Sequence, residues 1–111
     1  MKPIHTGGEY VFPDEVEAVL RYHPAIADAA VVGVSDRAMG ERLVALVAAK
    51  PGQTPPDAED ILNFCVGRIT GFKVPRTVLA VAAIEHLPNR RVDYEWARAT
   101  ATDRLASPAA Q

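Results

Sequence analysis

Two short apolar runs, residues 26 to 34 and 43 to 49, lie on either side of a charged loop spanning residues 35 to 42. Both are rich in Val and Ala, and both are bounded by turn formers: Gly33 and Ser35-Asp36 close the first, while Gly40 and Pro51-Gly52 frame the second. The longer uninterrupted run is far short of the about 20 apolar residues a membrane helix needs. Short β-branched runs set between turn residues read as strands. The pair therefore predicts two neighbouring strands joined by the charged loop, and residues 77 to 84 predict a third.

Helical patterns fill the gaps. Pro13 suits a first helical position, where a missing N–H costs nothing, and Asp14, Glu15 and Glu17 put negative charge at the positive end of the helix dipole. Val16, Val19 and Leu20 follow at helical spacing, and the Tyr22-His23-Pro24 corner ends the helix because the residue before proline leaves the α region. Thr54 as cap with Pro55 at the first position predicts a second helix, with Ala58, Ile61, Leu62, Cys65 and Ile69 on one face and Gly71 as its stop. A short third helix is expected from about Tyr94. The opening stretch, with Gly7-Gly8 before Tyr10-Val11-Phe12, reads as a turn or hairpin. The fold class predicted is α+β, a small three-stranded sheet with packed helices.

A chain of 111 residues fits one domain, expected over residues 1–105, with a flexible tail over 106–111. Hydrophobic residues at 49% and a net charge of −2, with no long basic run, exclude a disordered chain and argue against a nucleic-acid partner. A phosphorylated small ligand stays compatible, because a local Arg pair can serve it. Cys65 is the single cysteine, so no intrachain disulfide and no cysteine-based zinc cage can form. The N-terminus lacks a signal-like run, and a cytoplasmic setting is the expectation.

The order of motifs carries more. Gly7-Gly8-Glu9, Pro13, Glu15-Val16-Glu17, His23-Pro24, Asp36 and Gly40-Glu41-Arg42 occur in sequence, followed by Phe64-Cys65 and Gly71-Phe72-Lys73-Val74-Pro75-Arg76. This ordered set, over roughly residues 4 to 98, resembles the C-terminal lid domain of the adenylate-forming enzymes, the acyl-CoA synthetase and fatty-acid–CoA ligase superfamily. The ending Arg91-Val92-Asp93-Tyr94-Glu95-Trp96-Ala97-Arg98 is similar to that of actinobacterial fatty-acyl and sterol side-chain CoA ligases.

The resemblance implies a two-step chemistry: a carboxylate attacks ATP to give acyl-AMP and pyrophosphate, then the CoA thiol displaces AMP. It implies a large N-terminal adenylation domain as partner, holding Mg and the acyl pocket, and no bound cofactor or metal on this chain alone. The family's swing hinge would lie just upstream of Met1. Arg91 falls where the family has its catalytic lysine, and Arg90 where it has a glycine; arginine replaces a point charge by a rigid fork. Gly7, Gly8 and Glu9 match the segment that lines the pantetheine channel, and Lys73 is a candidate for CoA or nucleotide phosphate. The rival implied by the two arginines is a non-catalytic binding or regulatory module.

On the residues alone several of these have plainer readings. Gly7-Gly8 serves equally as a tight turn, Arg90-Arg91 as a solvated pair and Lys73 as a surface lysine. Tyr94 and Trp96 read as packing for a terminal helix, Cys65 as core filler and His23 as a helix end. His5 and His86 are too isolated for a metal site, and Glu15 and Glu17, at i and i+2, point to different sides rather than forming an acid–base pair.

Overall fold

The structure, a computed structural model, describes residues 2 to 106. The expected opening hairpin forms as β1 (Ile4–Thr6) and β2 (Glu9–Val11), and the first helix as α1 (Pro13–Leu20). The two apolar runs become β3 (Ile26–Asp36) and β4 (Gly40–Ala49), paired antiparallel along their length. Then come α2 (Ala58–Cys65), a single 3₁₀ turn (Gly71–Lys73), β5 (Thr77–Ala80) and α3 (Tyr94–Ala106).

The architecture is α+β as expected, but the sheet has five strands rather than three. β1 pairs with the start of β4 at Thr6 and Gly40, which draws the opening hairpin into the sheet. β5 lies parallel to the other end of that same β4 edge, reached by the crossover through α2. β4 is therefore central and β3 leaves one edge open.

Alternation along β3 and β4 sorts the core into two layers. Ala29, Val31, Leu43, Ala45 and Val47 pack with Val16 and Leu20 of α1 and Ile61 and Cys65 of α2. Ala30, Val32, Val44, Leu46 and Ala48 pack on the other face with Ala97 and Ala101 of α3. Burial on both faces explains why these strands read as continuous apolar runs rather than as alternating ones.

Three local boundaries differ from expectation. The loop over residues 35 to 42 shrinks to three residues, because the Asp36 Oδ1 accepts from the amides of Ala38 and Met39 and lets the strands zip up to Gly40. α2 starts at Ala58 with Asp57 as its cap, not Thr54: the Pro55-Pro56 pair holds the preceding chain extended, and Asp57 and Asp60 exchange a reciprocal capping box. β5 ends at Ala80, while Ile84 is buried from a loop. The expected flexible tail, apart from Ala106 at the end of α3, lies outside the described residues. No helix among the described residues is long and apolar enough to cross a membrane.

Candidate functional site

Arg91 sits on a hairpin between β5 and α3. His86 and Val92 bridge its base, the Arg90 amide donates to the Leu87 carbonyl at 2.8 Å, and the Leu87 amide donates to the Arg91 carbonyl at 2.8 Å. Pro88 and Asn89 occupy the centre of this turn, and the residue after them must adopt a left-handed conformation to close it. That residue is Arg90, with φ 72°, the one non-glycine at positive φ among the described residues. The Asn89 side chain accepts from the Arg91 amide at 3.0 Å, fixing the backbone from which the exposed Arg91 projects.

Arg91 borders a cleft of about 570 Å³ formed by this hairpin, the start of α1, the open edge of β3 and the start of α3. Lys2, Arg90 and Arg98 add positive charge to it, while Asp14, Glu17 and Asp28 add negative charge. The carboxylates are largely engaged. Glu17 is 2% exposed, and its carboxylate accepts from the Val31 amide at 2.9 Å and from the Tyr94 hydroxyl at 2.8 Å. It thereby caps an N–H on the free edge of β3 and ties α1 to α3 around that edge, which edge strands otherwise leave open to other chains. Burial raises its pKa, with the Val31 amide and Tyr94 hydroxyl opposing; burial and the same carboxylate push the Tyr94 phenol up.

Asp28 is the next link. Burial alone would raise its pKa, but hydrogen bonds from His86, the Ala29 amide and Arg21 hold it below the usual aspartate value. Arg21 Nε donates to Asp28 Oδ1 at 3.1 Å, and its Nη2 donates to the edge carbonyl of Ala29 at 3.0 Å. His86 Nε2 lies 2.6 Å from Asp28 Oδ2, and its Nδ1 lies 3.0 Å from the Arg90 carbonyl. The bond to Asp28, then that to the Arg90 carbonyl, raise the His86 pKa.

The glycine segment lies elsewhere. Gly7 and Gly8 form the two-residue turn of the β1–β2 hairpin, with φ 56° and 82°, positive values that glycine adopts at both positions without strain. Gly7 and Glu9 border a second cleft of about 380 Å³, together with Arg42, Phe72 and Arg76. A Cβ on Gly7 would stand 2.7 Å from the Met39 methyl, whereas Gly8 faces open space. Lys73 borders neither cleft: its ammonium pairs with Glu15 at 2.5 Å. The structure thus brings Gly7 and Glu9 to one cleft and Arg91 to another, leaving Gly8 and Lys73 beside them.

Sequence reasoning missed the Glu17, Asp28 and His86 set, and read Glu17 only as a charge at the N-terminal end of its helix. The signal was present: Pro13, Val16, Glu17 and Leu20 share the buried helical face, so a carboxylate stood in an apolar stripe. Cys65 is buried, which raises its thiol pKa, in keeping with core filler. Among the described residues no group of three His, Cys, Asp or Glu side chains is placed to hold a metal ion.

Fold and site together define a small α+β domain with a cation-bearing hairpin beside one cleft and a glycine turn beside another. The chain belongs to the family of AMP-binding enzyme C-terminal domains, whose model matches residues 15 to 91. It is 43% identical over 95 residues to the 3-oxocholest-4-en-26-oate--CoA ligase of Rhodococcus rhodochrous, covering 86% of this chain and 17% of that protein. It is 44% identical over the same length to the medium/long-chain-fatty-acid--CoA/3-oxocholest-4-en-26-oate--CoA ligase of Mycobacterium tuberculosis, again with 86% and 17% covered. Among solved structures, the fatty acyl CoA synthetase of M. tuberculosis superposes with a TM-score of 0.81 at 28% identity, covering 92% of this chain and 20% of that one. The acyl-CoA synthetase of Brucella canis gives 0.84 at 27% identity, over 94% and 20%. The chain thus spans about one sixth of the length of the curated relatives it matches.

Proposed function

We propose that the chain acts as the moving C-terminal lid of an ATP-dependent acyl-CoA ligase, closing on a large N-terminal adenylation domain in a cytoplasmic setting. The reaction would join a carboxylate to ATP as acyl-AMP and then pass the acyl group to CoA. The names of the relatives favour a fatty-acyl or sterol side-chain carboxylate as substrate. Magnesium, ATP and the acyl chain would be held mainly by the large domain, and the lid alone would neither bind them nor turn over.

The observation that carries this reading is the pair of separate clefts, which share no bordering residue. A lid serving two half-reactions presents one face to each, alternating about a hinge. Arg91 would supply positive charge where negative charge moves during adenylation. Its fork is wider than an ammonium and fits that place less well. Gly7, Gly8 and Glu9 would lie along the thiol arm of CoA, where the missing side chains of the glycines permit close approach. Lys73 can leave Glu15 for a phosphate at little cost, because a partly exposed pair contributes about 0–1 kcal/mol.

The test is an acyl-AMP and acyl-CoA assay on the chain alone and mixed with its large domain. Activity only in the mixture, with faster adenylation in an Arg90→Gly/Arg91→Lys variant, supports the lid. The two arginines at the hairpin favour one second reading, a non-catalytic module that docks on another protein. Domains that bind each other yet never turn over would select it.

A further inference from the structure

The hairpin that presents Arg91 touches the sheet through one side chain whose chemistry is informative. Both ring nitrogens of His86 face oxygens that can only accept: the Asp28 carboxylate at 2.6 Å and the Arg90 carbonyl at 3.0 Å. A neutral imidazole carries a single N–H, so it can satisfy one of these and must turn a lone pair on the other. Asp28 is held ionised by two further donors, Arg21 Nε and the Ala29 amide, and so cannot supply the missing proton. The geometry is complete only with an imidazolium.

We propose that His86 and Asp28 form a latch that positions the Arg91 hairpin against the open edge of β3, whole while His86 is charged and half-made once it is neutral. Asp28 anchors it from the sheet, and Arg21 anchors Asp28 from α1. The latch holds the carbonyl of Arg90, one bond from the Arg91 amide, so its release loosens the segment that aims the Arg91 side chain. Other charges face the same cleft and set the balance. Asp14 and Glu17 of α1 favour the imidazolium, while Arg21, Arg98 of α3, Lys2 and the hairpin's own Arg90 and Arg91 oppose it. Contact decides between them: Asp28 touches the ring, and none of the four cations Lys2, Arg90, Arg91 and Arg98 makes a side-chain bond to it. His86 and Asp28 are positioning residues here, and their relevance to catalysis rests on the lid reading of Arg91.

The experiment is a nuclear magnetic resonance pH titration of the ¹⁵N-labelled 111-residue chain, with no nucleotide, CoA or second domain. Expected are two protonated ring nitrogens on His86 at pH 6 and a midpoint above the ordinary 6.5. The Arg90 and Arg91 amides should shift with that same midpoint and gain backbone mobility above it, while amides of residues 44 to 47 stay unchanged. Asp28→Asn should lower the midpoint by about one unit. The latch is overturned if His86 titrates at or below 6.5, or if the hairpin amides ignore its titration; the wild-type chain alone decides both. Because no activity is read, the latch and the lid reading can fail independently.

Discussion

Replacing Arg90 with glycine should stabilise the domain, although it deletes a whole side chain. The hairpin needs a left-handed residue after Asn89, and an L-residue with a Cβ pays about 1–2 kcal/mol to sit there. Arg90 is exposed, and its side chain makes no hydrogen bond or ion pair among the described residues, so truncation removes strain without removing such a contact. Glycine returns part of the gain, about 0.5–1 kcal/mol, through the greater freedom of the unfolded chain. The net expectation is a gain of about 0.5–1 kcal/mol, or about 2–8 °C in Tm for a domain of this size. Differential scanning calorimetry of wild type, Arg90→Gly and Arg90→Ala measures it. The alanine variant keeps the Cβ and should stay within about 0.5 kcal/mol of wild type. A glycine variant no more stable than the alanine variant would refute the argument, since relief of the strain at φ 72° should outweigh the greater freedom glycine gives the unfolded chain.

Three further outcomes follow from named contacts. Glu17→Ala should cost about 2–4 kcal/mol in urea denaturation, because it leaves the Val31 amide and the Tyr94 hydroxyl without a partner in a buried place. Asp57→Ala should cost about 1 kcal/mol through loss of the α2 cap, read by the same denaturation. The pH dependence has a definite sign: His86 has a raised pKa in the folded chain, so its contribution is fully present below pH 6.5 and lost as pH rises through the folded value. Thermal stability should therefore fall above pH 6.5, and fall less in His86→Gln.

The strands and helices were legible because they rest on local rules. Residues 26 to 34 and 43 to 49 announced β3 and β4, and Pro13 with the His23-Pro24 corner framed α1. What escaped depends on distant partners. The β1–β2 hairpin joins the larger sheet only because Thr6 comes to lie beside Gly40, some thirty-odd residues on. The helix start was misplaced at Thr54, because the extended Pro55-Pro56 pair moves the cap on to Asp57. The site divided the same way. The Gly7-Gly8 turn and the Arg90-Arg91 hairpin were visible as motifs, whereas Asp28 and His86 lie 58 residues apart and meet only in the folded chain. Lys73 was placed in a plausible motif, but its sequence could not reveal Glu15 as its partner.

The claim at the centre is that one small domain serves two half-reactions with two different faces. The most direct measurement separates them in the chain joined to its large domain, using pyrophosphate exchange for adenylation and acyl transfer from supplied acyl-AMP for the second step. Arg91→Ala should slow adenylation about tenfold or more and leave transfer to CoA unchanged, whereas Gly7→Ala should slow transfer and spare adenylation. Both variants slowing both steps alike, or neither variant slowing either, would contradict the two-faced lid.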